Sequence, residues 1–551
     1  MMQRRRRFSS LLLVSSAALL AGSIGLPTVP SQAQPQPTAA GSATGSPTGS
    51  GAGAATTPAD IDDDNDEATG SRDLVAPANL AARRAWLTTR LDAVLAKANK
   101  IANAKLTAIV VDLQAANPTS TPLWSAEPDL AQNLASATKL LTSAAALSAL
   151  GPGYRWKTTV LAEGLDKSTG VVSGNLYVRG RGDPTLTYRD LQQLAADLHA
   201  AGVRSVSGKL VIDANYFDDL NLPPHFDEQP NERAGFRAAV AAFSVERNAV
   251  TVVVEPGLDE AGAPKITLDP PVTETIVVKK PTVTTVLDGR TSVKIEAKTG
   301  KKRTELLMSG QVRAASGFDY SRFRVEDPLR FAHDAMHAAL RSRGIKVSAS
   351  FATGTTPSAA KAVASHDSAT LADVVRTMNK FSDNFLAESI LKTLGAQTKS
   401  GARATWADGV AAVRTYLVTT AKVAGNWRAD NGSGLYNASE MSARQLASVL
   451  ITARNDDRIA VDFAASLPIA GLDGTLAKRF TASSAKGLVR AKTGTLDSVS
   501  ALAGYAGTNN APLGFVVLVN KFAKRDRKAV RALQDEIAEL LVAFASAGGN
   551  R

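Results

Sequence analysis

The chain has 551 residues, 44% hydrophobic and 21% charged, with a formal net charge of +12. That length suits roughly two to four domains, and the balance excludes a wholly disordered, collagen-like or polytopic membrane chain. With no Cys and 5 His, thiol catalysis, iron–sulfur clusters, Cys-ligated zinc and disulfides are excluded, and little material is left for a metal site.

Residues 1–33 have the layout of an export signal: a basic start at Arg4 to Arg7, an apolar stretch from Leu11 to Leu26, and the small-x-small site Ser31-Gln32-Ala33. Cleavage after Ala33 is expected, against the alternative of a retained membrane anchor. It would remove four Arg and no acid, taking the charge from +12 to +8. An exported protein in a wall or periplasm-like space is the expectation, with membrane contact at most peripheral. A mild basic excess suits work beside anionic envelope polymer. No Lys/Arg stripe with interleaved aromatics appears, so no nucleic-acid partner is expected. Residues 34–77, rich in Gly, Ser, Thr, Ala and Pro around the acidic run Asp60 to Glu67, read as a disordered spacer.

Helical spacing begins near Asn79 and runs to Ala98. A hairpin follows, from the β-branched run Thr107 to Leu113 and the short Thr121 to Ser125 around an Asn117-Pro118 turn. An Ala/Leu helix opens at Leu134-Ala135-Ser136-Ala137-Thr138-Lys139 and stops at Gly151-Pro152-Gly153. From about 157 to 365 short β-branched runs alternate with Gly, Pro and Asp, which predicts a strand-rich insertion. Helix signals return at Leu371 to Leu394, Trp406 to Val423, Ser442 to Arg454 and Lys524 to Phe544, with strands at Leu488 to Gly494, Ser498 to Ala506 and Leu513 to Asn520. The expectation is one α/β domain split by an insertion.

Three short patterns can carry chemistry. Ser136-x-x-Lys139 puts a hydroxyl and an amine one helical turn apart, Ser382-Asp383-Asn384 adds a hydroxyl and an amide, and Lys492-Thr493-Gly494 adds a second Lys. Each is weak singly: Ser-x-x-Lys recurs at Ser358/Lys361, Ser389/Lys392 and Ser483/Lys486, Ser-x-Asn at Ser173-Gly174-Asn175, and Lys-Thr-Gly at Lys298-Thr299-Gly300. Context selects. Ser136 opens an apolar helix, where the dipole and free N–H groups favour a nearby oxyanion. Ser358 sits in a Gly/Thr/Pro loop, and Ser389 is mid-helix. Lys298 belongs to a polar run ending Lys301-Lys302-Arg303, whereas Lys492 lies in a strand with apolar runs behind it.

These motifs, in this order, resemble those of the penicillin-binding proteins and class A β-lactamases. Longer strings, namely Ala135 to Leu140, Gly151 to Arg155, Gly174 to Gly180 with Gly182-Asp183-Pro184, Met378 to Glu388, Asp430 to Leu435 and Leu472 to Thr475, are similar to the class C low-molecular-mass penicillin-binding proteins. Those are D-alanyl-D-alanine carboxypeptidases and endopeptidases of peptidoglycan. The likeness covers about residues 80 to 545. It implies a β-lactamase/transpeptidase-like domain, an antiparallel sheet with flanking helices, in two parts (78–157 and 369–551), interrupted by a two-domain insertion: 158–182 and 272–368, with 183–271 nested between them.

The resemblance also implies a mechanism. Ser136 attacks the carbonyl between two D-Ala residues, and Lys139, its pKa lowered by burial and by Lys492, takes the proton. Ser382 relays a proton to the leaving amine, Lys492 polarises that relay, and Asn384 binds a substrate peptide carbonyl. Backbone N–H groups of Ser136 and Thr495 form the oxyanion hole. Thr493, Gly494 and Thr495 line the substrate side, the Thr493 and Thr495 hydroxyls suited to a terminal carboxylate, though Thr493, like Asp383, also reads as structural. Partners would be peptidoglycan stem peptides and, as covalent inhibitors, β-lactam antibiotics. No cofactor or metal is expected; His333 and His337 have ligand spacing but no third ligand. No counterpart of the deacylating Glu of class A β-lactamases is assigned, so bound penicillin should leave slowly. Relatives that grip a diaminopimelate side chain use aromatics and an acid in the insertion, for which Phe217-Asp218-Asp219 and His225-Phe226-Asp227 are candidates. Ser136 and Asn384 could instead be helix caps, and Glu388, Trp427 and Tyr505 packing or surface residues. The competing functions are a catalytically idle peptidoglycan-binding protein and a serine esterase or aminopeptidase on the same fold.

Overall fold

The computed structural model describes residues 74–230, 232–399, 403–508 and 512–547. The expected export signal and most of the expected spacer lie outside them. Five antiparallel strands form one sheet in the order Val489–Leu496, Val499–Ala506, Leu513–Asn520, Lys105–Asp112, Trp124–Ala126. Side chains alternate between its faces. Ile109, Val111, Val516 and Leu518 enter a core shared with the helices Lys139–Leu150 and Ala443–Asn455, while Ala108, Val110, Phe515, Val517 and Val519 pack against Leu80–Ala98 and Arg527–Ser546. Helices on both faces explain why 499–506 and 513–520 are apolar runs buried throughout.

Two expectations about this body are corrected. The apolar stretch from Leu134 does not begin as an α-helix: Ala135–Thr138 is a 3-10 turn that feeds straight into Lys139–Leu150. The run Leu371 to Leu394 is also not one helix. Leu371–Phe381 ends where Ser382 turns to φ 58°, and Asn384–Thr398 starts afresh. The cause is local chemistry. The Asp383 carboxylate accepts from Leu386 N at 2.9 Å and so caps the second helix, an alternative to continued helix that short polar side chains offer.

Between these parts, the incoming strand Lys157–Ala162 and the returning strand Lys361–Asp367 are antiparallel neighbours, Lys157 opposite Asp367. Both chain crossings are therefore adjacent. They border a seven-stranded sheet in which Leu176–Arg179 runs parallel to Ser205–Asp213. Parallel pairing needs a crossover, and the helix Tyr188–Ala200 supplies it. That helix and Pro328–Ser342 packed beside it add two helices to the strand-rich insertion. The first carried a legible signal: Thr187 and Asp190 form a capping box, and Leu191, Leu194, Ala195 and Leu198 share one buried face. Two three-stranded sheets complete the region. Pairing crosses the expected limits of the nested segment: Ser205–Asp213 bonds to Leu176–Arg179 across position 183, and Ala249–Glu255 to Asp319–Arg324 across position 271.

Candidate active site

The 3-10 turn that carries Ser136 is held from both ends. Ala135 takes φ 45°, a conformation strained for a residue with a side chain, and its N–H is fixed by Asn133 Oδ1 at 2.8 Å. Thr138 Oγ1 lies 2.8 Å from the Ala135 carbonyl and 2.7 Å from Ser439 Oγ. One turn on, Lys139 is completely buried. Its Nζ donates to Ser136 Oγ at 3.1 Å, to Asn384 Oδ1 at 2.7 Å and to the Ser433 carbonyl at 3.0 Å. Ser136 caps no helix with its side chain, and the cap of the helix after Ser382 is Asp383 rather than Asn384.

A second buried lysine faces the other hydroxyl. Lys492 Nζ donates to Ser382 Oγ at 2.9 Å and to the Thr493 carbonyl at 2.8 Å. Gly494 is what lets its strand lie against the Ser136 turn: a Cβ there would stand 2.6 Å from Leu134 O and 3.1 Å from Ala137 N, closer than a side chain tolerates. The Thr493 hydroxyl donates to Thr475 Oγ1 at 2.8 Å, a link to the neighbouring loop. Thr495 Oγ1 lies 3.4 Å from Arg531 Nη2. All eight residues singled out from the sequence thus fall on three adjoining pieces of chain: the 135–139 turn, the 382–384 corner and the 492–495 strand.

Four features of the surroundings escaped the sequence reading. The loop 431–434 supplies the carbonyl that Lys139 meets. Its Gly434, at φ 74°, allows a 2.0 Å approach of its Cβ position to Ala135 O. Glu388, read from sequence as packing or surface, is a fully buried carboxylate whose oxygens accept from Gly432 N at 2.9 Å and Ser433 N at 2.8 Å. Lys380 bonds both Asp473 oxygens, at 2.8 and 2.7 Å, and so ties the end of the Ser382 helix to the Leu472–Thr475 loop; burial holds this lysine below its ordinary range, with Asp473 opposing. Asn384 Nδ2 donates to the Phe236 carbonyl at 3.2 Å, so the insertion forms a wall of the site. The strings Asp430 to Leu435 and Leu472 to Thr475 carried signal for two of these, but their residue types named no role.

The repeated motifs lie elsewhere. Lys392 bonds Asp218 Oδ1 at 2.6 Å and sits 4.6 Å from the Trp406 ring. Lys298 is exposed beside Glu296, and Asn175 Oδ1 accepts from Lys209 N at 2.9 Å. In the recognition candidate Phe217-Asp218-Asp219, Phe217 is buried in the core, Asp218 binds Lys392, and Asp219 binds Arg403. In the other candidate, Phe226 is buried while His225 bridges Glu228 at 2.7 Å and Asp430 at 2.8 Å. Burial works against the His225 charge, but bonds to the two carboxylates outweigh it and raise its pKa. That places this stretch beside the 430–436 loop. His333 and His337 are engaged locally, His337 Nε2 with the Val347 carbonyl at 3.3 Å. No group of three potential metal ligands occurs among the described residues, nor is any helix among them long and apolar enough to cross a membrane.

Comparison with known proteins agrees with this arrangement. The D-Ala-D-Ala carboxypeptidase 3 (S13) family profile matches residues 87–542. The D-alanyl-D-alanine carboxypeptidase of Actinomadura sp. (strain R39) is 31% identical over 426 residues, covering 75% of this chain and 77% of the relative. D-alanyl-D-alanine carboxypeptidase DacB of Haemophilus influenzae is 27% identical over 399 residues, 71% of this chain and 81% of the relative. In three dimensions the crystal structure of penicillin binding protein 4 from Haemophilus influenzae superposes with a TM-score of 0.68 at 23% identity, covering 82% of this chain and 99% of that one. The fold is therefore that of the penicillin-binding proteins, and the chain belongs to the D-Ala-D-Ala carboxypeptidase 3 (S13) family.

Proposed function

We propose that this serine-type D-Ala-D-Ala carboxypeptidase and endopeptidase works through an acyl-enzyme on Ser136, with Lys139 as the base that activates it. The observation that carries this reading is the buried Lys139 Nζ, 3.1 Å from Ser136 Oγ and 2.7 Å from Asn384 Oδ1. Asn384 Oδ1 and the Ser433 carbonyl can only accept hydrogen bonds. A neutral Lys139 that gives its N–H groups to them can turn its lone pair to the Ser136 hydroxyl. The Ser136 oxygen then adds to the carbonyl between two D-Ala residues, its proton passes to Lys139, and the C–N bond breaks as Ser382 delivers a proton to the leaving amine.

Lys492, 2.9 Å from Ser382 Oγ, keeps that hydroxyl polarised. Backbone N–H groups of Ser136 and Thr495 stabilise the oxyanion, Asn384 Nδ2 receives a stem-peptide carbonyl, and Thr495 with Gly494 borders the terminal carboxylate. Thr493, bonded to Thr475, serves the shape of this strand. Water releases D-Ala or the cut cross-link. β-Lactams enter the same route, their ring C–N bond opening as the acyl carbon bonds to Ser136, and leave the enzyme acylated. The His225-Phe226-Asp227 stretch, beside Asp430, forms the wall that faces the stem-peptide side chain. The chain is exported and acts on the wall outside the cytoplasm.

Fluorescent penicillin and intact-mass spectrometry test the assignment. The purified protein should gain one penicillin mass, and Ser136→Ala should gain none. Labelling that survives in Ser136→Ala and vanishes in Ser389→Ala would overturn it.

A further inference from the structure

Glu388 lies one helical turn beyond Asn384, on the same helix, and no step above uses it. Its side chain is wholly buried, yet it ends in a loop rather than on a cation. Each carboxylate oxygen accepts one backbone N–H, from Gly432 at 2.9 Å and from Ser433 at 2.8 Å. The Ser433 hydroxyl adds a further hydrogen bond, and a backbone donor on each oxygen is a pattern that a carboxylate satisfies and a carboxylic acid meets poorly. Both oxygens are thereby tied to the backbone of one loop.

The peptide it grips is the one that meets the base. The Ser433 carbonyl accepts from Lys139 Nζ at 3.0 Å. The same loop is held from the nucleophile's helix by Thr142, whose hydroxyl donates to the Gly432 carbonyl at 2.8 Å. Asn431 Oδ1 closes it by accepting from Gly434 N at 2.8 Å. Gly432 has no room for a side chain, since a Cβ would stand 2.6 Å from Ala387 O. We infer that Glu388 is a positioning residue for acyl transfer: its carboxylate clamps the Gly432–Ser433 backbone so that the Ser433 carbonyl holds the Lys139 amine toward Ser136, and its charge influences how tightly that amine keeps its proton. This rests on the Ser136/Lys139 reading above.

Burial pushes the Glu388 carboxyl upward, and the Ser433 and Gly432 hydrogen bonds and the Lys139 charge oppose it. Lys139 is a charged group close enough to act on it. A structural clamp alone would change the rate at every pH alike. A clamp whose charge faces the base also moves the pH at which the base becomes free.

The test is the second-order rate constant for acylation of the full chain by a chromogenic cephalosporin, followed against pH. Glu388→Gln sets an amide N–H against a backbone N–H and removes the charge. It should slow acylation on the order of a hundredfold, the penalty of a reacting group displaced by about 1 Å. It should also move the acid limb of the profile to lower pH, because an amine relieved of a buried negative neighbour releases its proton more easily. Glu388→Asp keeps the charge and shortens the reach, so it should slow acylation less and leave the limb in place. A folded Glu388→Gln protein that acylates within about threefold of the parent overturns the inference. So do equal losses in both variants with an unmoved limb, which would make Glu388 a packing residue. If Glu388→Gln does not fold, Glu388→Asp decides: a parental rate overturns the clamp, and a slowed rate with an unmoved limb supports it. Ser136→Ala is measured alongside, and labelling that survives there defeats the nucleophile assignment itself, whatever Glu388 does.

Discussion

Two lysines in this chain are completely buried three residues after a serine, Lys139 after Ser136 and Lys392 after Ser389, and their surroundings differ in kind. Lys392 meets a carboxylate, Asp218 at 2.6 Å, with the Leu220 carbonyl at 2.9 Å and two aromatic rings. Its bonds to Asp218 and Leu220 tie the inserted region to the α/β body. Lys139 meets a hydroxyl, an amide oxygen and a carbonyl. Glu388, a buried carboxylate on which the Lys139 charge acts, is turned onto backbone N–H groups instead. Burial lowers the pKa of Lys392, with the bond to Asp218 opposing, and a lysine in a direct ion pair suits anchoring. One held by neutral acceptors can give up its proton, which suits a base.

The largest effect expected from this comparison is in the two serines. Ser136→Ala should abolish covalent labelling by penicillin, whereas Ser389→Ala should label as the parent does, both read by intact mass. The next concerns the two Lys-Thr-Gly strands. Lys492→Ala should slow acylation on the order of a hundredfold or more, and Lys298→Ala, exposed on its hairpin, should leave it within a few-fold; equal losses would mean that the wrong strand was chosen.

The anchoring lysine should announce itself in stability. Lys392→Met leaves Asp218 without its partner and should destabilise the fold by about 3 to 5 kcal/mol, measured by denaturant unfolding. Lys392→Met combined with Asp218→Leu should recover much of that loss, and failure to recover would mean that packing rather than charge governs the site.

The smallest effect sharpens the contrast with a third buried base. Burial, aided by His337, lowers the pKa of His333 to about 4, with Asp334 and the Leu210 carbonyl opposing and Arg330 adding to the decrease. The unfolded chain takes up this proton near pH 6.5, the folded chain only near pH 4. Stability from this group is therefore present above the unfolded value and falls as pH drops through that window, by up to about 3 kcal/mol. His333→Leu should flatten the loss of melting temperature relative to the parent between those two pH values. An unchanged slope would show that His333 is protonated in the fold.

Much of this was legible beforehand where the cause is local. The helix start near Asn79, the Gly151-Pro152-Gly153 stop and the apolar strands 499–506 and 513–520 follow from hydrogen bonding and side-chain periodicity within a few residues. The order Ser136, Ser382, Lys492 also proved enough to pick three segments that adjoin in space. Less visible were elements whose signal competed with a louder neighbour. The Tyr188–Ala200 helix was overlooked amid β-branched runs, and the break at Ser382 was hidden in an apolar stretch that reads as continuous helix on both sides.

The sequence by itself determined which groups exist to do chemistry: two lysines, two hydroxyls and an amide in motif order, with no thiol to replace them. Only the tertiary structure decided what each group faces. Lys139 and Asn384 are 245 positions apart and meet at 2.7 Å, Lys392 finds its carboxylate 174 positions away, and Glu388 is assigned to a loop rather than to a cation. The physical reason is that burial strips a charged group of water, so its state is set by whichever donors and acceptors packing brings within hydrogen-bond reach. Spacing along the chain fixes that neighbourhood only within one helical turn or one strand pair.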